Sequence, residues 1–212
     1  MQKENKVCSI TPADRLGSIQ EYYFSKKLKE VAEMNAQGMN VISLGIGSPD
    51  LPPSNETIET LCQHAHQANE HGYQPHIGIP ELRQGFADWY KTWYHVELDP
   101  KSEIQPLIGS KEGILHISLT FLNPGDGVLI PNPGYPTYSS VSKLVGAKLI
   151  YYDLLEDKGW QPDFDQLEQM DLTGVKMMWT NYPNMPTGGN ATPELYARIV
   201  DFGRRHNILI CN

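Results

Sequence analysis

Residues 109–113, with the sequence GSKEG, combine residue types that suit the binding of an anion. The segment joins a predicted strand to a predicted helix, and the first turn of a helix presents backbone N–H groups with partial positive charge. Ser110 adds a hydroxyl and Lys111 a cation. A phosphate is the natural ligand, although an ordinary strand–helix turn with a surface lysine would have the same sequence. The segment is neither a Walker P-loop nor a G-x-G-x-x-G loop.

Tyr135 lies between two prolines in the segment PNPGYPTY, residues 131–138. Because proline fixes its own φ angle, the chain around the tyrosine ring is stiff, which suits stacking of the ring on a flat ligand. A tyrosine packed on the surface of the domain would have the same neighbours, so the sequence leaves both interpretations open.

Residues 181–189, NYPNMPTGG, combine two prolines and two glycines with amide side chains. The amides of Asn181 and Asn184 could hydrogen-bond a ligand, and Thr187 and Gly188 would turn the chain toward the next helix. By spacing alone, a purely structural turn is the better explanation.

Two other kinds of site find no support in the sequence. Seven histidines are present without ligand spacing of the H-E-x-x-H type, and His64 and His66 would point to different faces of one predicted helix. No G-x-S-x-G sequence marks a nucleophile elbow. The sequence therefore predicts neither a metal site nor a nucleophile of this type.

Strands and helices alternate along the second half of the chain. Strands are predicted at residues 103–109, 128–131, 147–154, 175–183 and 207–212, and helices at 111–122, 135–146, 164–170 and 192–206. The first half is predicted to hold helices at 20–37, 55–70 and 80–94 and a short strand within 39–54.

The short strands are apolar on both faces, which is typical of a mostly parallel sheet with helices on both sides. The predicted fold class is therefore α/β, a three-layer αβα arrangement. In such sheets, ligands bind beyond the carboxyl ends of the strands. Tyr135, Asn184 and the segment 109–113 are expected at that edge.

The composition is that of an ordinary globular protein, with 212 residues of which 40% are apolar and 20% charged. The net charge of -8 disfavours a nucleic-acid surface, which needs clustered Lys and Arg. No apolar run approaches the ~20 residues of a membrane span, and the N-terminus lacks the apolar stretch of a secretory signal. The three scattered cysteines indicate no disulfide framework. A cytoplasmic protein is expected.

Taken in order, these segments resemble the class I/II aminotransferases, fold type I enzymes that use pyridoxal phosphate (PLP). The resemblance runs from about Gln20 to the chain end. It depends on LGIGSPD at residues 44–50, YQPHIGIPELR at 73–83, the GSKEG loop, PNPGY at 131–135 and PNMPTG at 183–188. The nearest group is the LL-diaminopimelate aminotransferase-like one.

The resemblance implies a role toward the cofactor for five residues. Ser110 and Lys111 would line a cup for the PLP phosphate, Tyr135 would stack on the pyridine ring, and Asn184 would lie near the cofactor. Tyr73 would reach across a homodimer interface to the phosphate bound by the neighbouring subunit.

Two further residues are implied on the substrate side. Gly47 would bring its backbone N–H to the substrate α-carboxylate, where a residue without a side chain fits. Tyr22 would contact the substrate from the N-terminal segment, although an ordinary amphipathic helix is the commoner setting for such a tyrosine.

The activity implied is transfer of an amino group between an α-amino acid and a 2-oxo acid. A β-lyase or decarboxylase on the same fold is the alternative among PLP enzymes, since one fold hosts several reactions. A non-catalytic module or fragment is the alternative from another class. The resemblance assigns residues 1–45 to an N-terminal segment of the small domain or arm, and 46–212 to the N-terminal part of the PLP-binding large domain.

The chain departs from the family pattern in two ways. The Schiff-base lysine, the pyridinium aspartate and the carboxylate-binding arginine follow the last predicted strand in the family, so none is located here and the chain alone is expected to be inactive. In addition, Met185 replaces an asparagine that donates to the phenolic oxygen of PLP, and a thioether cannot donate a hydrogen bond. Binding of PLP with altered acid–base tuning is expected.

Overall fold

The computed structural model describes residues 10–18, 23–45, 47 and 49–212. Within them the chain divides into two compact units. The sheet unit comprises the described residues of Met1–Gln20 together with Gly109–Asn212, and the helical unit comprises those of Glu21–Ile108. In the described part of the chain, no helix is both long and apolar enough to cross a membrane.

The sheet unit contains four parallel strands in the order β2-β1-β3-β4. The strands are β1 (Gly127–Asn132), β2 (Lys148–Asp153), β3 (Val175–Trp179) and β4 (Leu209–Cys211). The α-helices are α4 (Ser110–Phe121), α5 (Pro136–Leu144), α6 (Phe164–Gln169) and α7 (Pro193–His206), with short 3-10 helices at Asp14–Ser18 and Glu156–Lys158. The predicted alternation of strand and helix from residue 127 onward is confirmed.

Helices cover both faces of this sheet. Successive side chains of each strand point to opposite sides, so an apolar strand buries side chains on both faces. Leu129 of β1 packs with residues of α6 and α7, including Phe164, Ile199 and Phe202. Its neighbours Val128 and Ile130 pack on the other face with residues of α4 and α5, among them Ile114 and Tyr138. The three-layer αβα fold class is thereby confirmed.

Local sequence signals set where the helix α7 begins and how closely it packs. The hydroxyl of Thr192 accepts a hydrogen bond from the Leu195 N–H at 3.2 Å, and Pro193 occupies the first turn. Near its other end, a Cβ placed on Gly203 would lie 2.6 Å from Ile210 Cγ1 of β4. Only glycine therefore allows the helix this close to the strand.

The helical unit contains α1 (Tyr23–Ala36), α2 (Asn55–Ala65) and α3 (Pro80–Tyr94). Gly38 follows α1 with φ of +85°, and its N–H donates to the Asn35 carbonyl, so a glycine ends this helix. The helix expected at residues 55–70 ends earlier, at Ala65. The Ala65 carbonyl accepts a hydrogen bond from the His71 ring at 3.0 Å, where a longer helix would supply a backbone N–H.

Two predicted strands are wrong. Among the described residues of 39–54 and in 103–109, which are all described, no strand forms. Ile42, Leu44 and Ile108 are 84%, 93% and 97% exposed. A strand needs a neighbouring strand to pair with and cover for its apolar side chains. The described residues of these two segments pair with no strand, and the three side chains are exposed.

Candidate active site

Three of the predicted segments lie at one edge of the sheet. β1 and β3 are parallel neighbours, so residues 133–135 and 180–189 follow their strands at the same, carboxyl edge. α4 ends at Phe121, shortly before β1 begins at Gly127. A helix of this length spans about 18 Å and the strand about 20 Å, so the N-terminus of α4 returns toward the carboxyl edge.

The N-terminus of α4 is exposed. Its N-cap, Gly109, has no side chain to make a capping hydrogen bond, and no atom of the described residues lies within 4 Å of a Cβ placed on this glycine. Ser110 and Lys111 form the first turn, and both are exposed. An exposed helix N-terminus with a hydroxyl and a cation has the charge and the room to bind a phosphate.

An aromatic row holds Tyr135 at the N-terminus of α5. Its half-buried ring meets the ring of Tyr138 edge-on, with centroids 5.7 Å apart. The Tyr138 ring in turn stacks on Trp179, at 4.8 Å and an interplanar angle of 12°. Burial raises the pKa of the Tyr138 hydroxyl. The row fixes the position of the Tyr135 ring, because each ring packs against the next.

Asn184 is buried, at 2% exposure, and holds the turn together. Its Oδ1 accepts from the Thr187 hydroxyl at 2.7 Å, its N–H donates to the Gly189 carbonyl at 2.7 Å, and its carbonyl accepts from Gly188 N–H at 2.6 Å. Its Nδ2 is buried without a hydrogen-bond partner among the described residues. The role of Asn184 toward a cofactor stays a prediction.

Met185 is the side chain that this turn exposes. It is 55% exposed, while its N–H donates to Asn181 Oδ1 at 3.0 Å. The hydrogen bond fixes the backbone at this position and leaves the thioether accessible. At the tip of the turn, therefore, Met185 and not Asn184 presents its side chain to solvent.

The remaining predicted site residues are not part of the sheet unit as described. Tyr73 and Gly47 lie in the helical unit, and both are fully or largely exposed, Tyr73 at 101%. Within the described part of the chain, no atom lies within 4 Å of a Cβ placed on Gly47. Tyr22 lies outside the described residues.

Sequence reasoning missed several polar residues at the carboxyl edge. The buried Thr180 donates its N–H to the Cys211 carbonyl at 2.7 Å and its hydroxyl to Asn212 Oδ1 at 3.1 Å, which joins the ends of β3 and β4. Asn132 Nδ2 donates to Asp153 Oδ1 at 2.7 Å, which joins β1 and β2. The only signal in the sequence was the position of these residues at or directly after the ends of apolar strands.

A flat, phosphorylated cofactor fits the residues present. The exposed helix N-terminus suits its phosphate, and the fixed ring of Tyr135 suits its plane. Asn184 Nδ2, to which no described residue is hydrogen-bonded, is a buried donor beside the same edge. These three features lie within the sheet unit.

Comparison with known proteins agrees with this arrangement. The family model for aminotransferase class I and II matches residues 39–211. Two LL-diaminopimelate aminotransferases, from Maridesulfovibrio salexigens and Dehalococcoides mccartyi, are 43% and 40% identical over 198 residues, which is 93% of this chain and 51% of each relative. The chain thus spans about half the length of the curated relatives it matches.

Solved structures of similar fold include an aminotransferase. The match to BacF from Bacillus subtilis has a TM-score of 0.89 at 37% identity and covers 96% of this chain and 52% of the BacF chain. An alanine aminotransferase from Pyrococcus furiosus has a TM-score of 0.86 at 27% identity, covering 94% and 51%.

Proposed function

The chain belongs to the aminotransferase class I and II family, and we propose that the whole protein transfers an amino group between an α-amino acid and a 2-oxo acid with PLP as its cofactor. The whole protein here means this chain together with the C-terminal half that its relatives have. One observation carries the proposal: the exposed N-terminus of α4, Tyr135 and the turn 181–189 share one edge of a parallel sheet.

Each of these features has a task in such a reaction. The first turn of α4, with Ser110 and Lys111, binds the phosphate and so anchors the cofactor. Tyr135 orients the pyridine ring by stacking, and Asn184 keeps the turn in place beside it. Gly47 offers its N–H to the substrate carboxylate. The cofactor itself supplies the electron sink that makes transfer of the α-proton possible.

Substrate identity and assembly are part of the same proposal. LL-diaminopimelate is the first amino donor to test, because relatives about 40% identical are named for it. A cytoplasmic homodimer is proposed, with Tyr73 reaching the neighbouring phosphate, and the full exposure of this ring supports that role. Tyr22 remains proposed as a substrate contact.

We retain the domain division as a proposal. Residues 1–45 would belong to the small domain or arm, and 46–212 would form the N-terminal part of the large, PLP-binding domain. The match to the family begins at residue 39, close to this boundary. The two compact units described above divide the chain at other positions, after Gln20 and after Ile108.

The direct test is product analysis. The whole protein, incubated with PLP, an amino donor and 2-oxoglutarate, is expected to form glutamate in proportion to the 2-oxo acid released from the donor. Release of a 2-oxo acid and ammonia without glutamate, or release of carbon dioxide, would instead assign a lyase or a decarboxylase. Absence of PLP binding would contradict the proposal altogether.

Replacing Lys111 by Ala is expected to weaken PLP binding about tenfold, because one charge-assisted contact to the phosphate is lost. Titration of the dialysed whole protein with PLP measures the dissociation constant. Lys148→Ala is the matched control, since this exposed lysine begins β2 at the opposite edge of the sheet. Equal dissociation constants for the two variants would remove Lys111 from the phosphate cup.

Replacing Met185 by Asn is expected to move the pH-dependent change in visible absorption of the bound cofactor to lower pH. An amide can donate to the phenolic oxygen of PLP, and a donor favours the form that carries more negative charge. One added hydrogen bond of ordinary strength corresponds to a shift of about 0.5–1 pH unit. Met185→Leu adds no donor and should leave the midpoint unchanged, whereas an unchanged midpoint in Met185→Asn would make this position irrelevant to tuning.

A further inference from the structure

The loop that follows β2 places one tryptophan against the turn 181–189. Leu154 and Pro162 pair as an isolated antiparallel bridge, which closes the loop between them. Within it, Trp160 is half-buried and has a φ of +61°, a conformation that non-glycine residues rarely adopt. Its N–H donates to the Leu155 carbonyl at 2.9 Å, which holds this conformation.

Trp160 contacts both ends of the turn. A Cβ placed on Gly189 would lie 2.7 Å from Trp160 Cβ and 3.2 Å from its Cγ and Cδ1, so the glycine backbone packs directly on this side chain. At the other end, the Tyr182 hydroxyl donates to the Trp160 carbonyl at 2.9 Å. Burial raises the pKa of Tyr182 to about 12, so the hydroxyl keeps its proton at neutral pH.

These contacts connect to the centre of the turn through its backbone. The Gly189 carbonyl, beside Trp160, accepts the hydrogen bond from Asn184 N–H at 2.7 Å. Gly189 N–H donates to the Thr187 hydroxyl, which in turn donates to Asn184 Oδ1. A displacement of Gly189 would therefore move Asn184 and the neighbouring Met185.

We propose that Trp160 is a positioning residue that sets where the turn 181–189, and with it Asn184 and Met185, lies beside the cofactor. The inference rests on the proposed function, in which this turn borders the PLP site. Trp160 acts through Gly189 and Tyr182, and it has no assigned contact with cofactor or substrate.

The first test separates this role from simple packing. In the whole protein, Tyr182→Phe removes one hydroxyl and should raise the PLP dissociation constant threefold or more and shift the midpoint of its pH-dependent absorption. Tyr196→Phe is the matched control, because this ring contacts Tyr182 and its hydroxyl has no hydrogen-bond partner among the described residues. It should leave both values unchanged.

The second test uses the close contact at Gly189. Gly189→Ala should raise the PLP dissociation constant about tenfold, because its methyl would overlap Trp160. Combining it with Trp160→Gly removes the overlap, and glycine tolerates the positive φ at position 160. In the Trp160→Gly background, Gly189→Ala should change the logarithm of the PLP dissociation constant by less than half as much as it does in the parent. A double-mutant cycle measures this coupling.

The outcomes distinguish the two levels of the proposal. If the parent protein does not bind PLP, the proposed function fails and the positioning role fails with it. Suppose instead that the parent binds PLP, and that Tyr182→Phe and Gly189→Ala lower only the melting temperature. If the PLP dissociation constant then stays within twofold of the parent and the midpoint of the pH-dependent absorption does not move, the positioning role alone is overturned.

Discussion

The 212-residue chain by itself is expected to catalyse no amino-group transfer, even with PLP and both substrates at saturating concentrations. The described lysine nearest in sequence to the turn 181–189 is Lys176 of β3, and it lies at the wrong end of its strand. At a rise of about 3.3 Å per residue, it is roughly 10 Å along the strand from Trp179, where the carboxyl edge begins. Lys111, at the correct edge, is the proposed phosphate ligand.

Two measurements check this expectation. The chain with added PLP should show no visible absorption band that becomes a borohydride-stable adduct on one lysine, while the whole protein should show it under the same conditions. Circular dichroism of the chain serves as the control that it is folded. A specific stable adduct on Lys111, Lys176 or another lysine of the chain would contradict the expectation and relocate the catalytic residue.

Replacing Phe202 by Ala is expected to lower the free energy of unfolding by about 3–5 kcal/mol, a large part of the stability of a typical domain. The ring is 0% exposed and lies between α7 and the sheet, with the Phe164 ring 6.0 Å away edge-on and the His206 ring at 4.7 Å. Its truncation removes buried apolar area and leaves a cavity that these neighbours can fill only in part.

Urea unfolding of the 212-residue chain, followed by circular dichroism, measures this loss. Phe121→Ala is the matched control, because the same side chain at the end of α4 is 53% exposed and should cost less than about 1 kcal/mol. A loss for Phe202→Ala no larger than for Phe121→Ala would mean that α7 does not pack on the sheet as described.

The alternation of short apolar strands and helices made the sheet unit predictable. Val128, Leu129 and Ile130 are consecutive apolar residues, and such a run is typical of a strand covered on both faces. The helix predicted at 192–206 begins where expected, at Pro193 after Thr192, because capping depends on residues adjacent in sequence. The same local reasoning failed at residues 103–109, since a strand also requires a neighbour that local sequence does not reveal.

The candidate site was predictable only as a list of segments. Their order along the chain, and the rule that ligands bind beyond the carboxyl ends of parallel strands, placed Ser110, Tyr135 and the turn at one edge. Which side chain of the turn is exposed was not predictable. Asn184 and Met185 are neighbours in sequence, and only the hydrogen bonds to Thr187 and Asn181 bury the first and leave the second accessible.

The sequence by itself determined the fold class, the family and the residue types of the candidate site, because periodicity, capping and motif spacing are local properties of the chain. The tertiary structure alone decided what holds those residues in place. Trp160 meets Gly189 and Tyr138 meets Trp179 across 29 and 41 residues of chain, and such contacts depend on how strands and helices pack. Packing of distant segments is not encoded in any single stretch of sequence, which is why these supporting residues emerge only once the chain is folded.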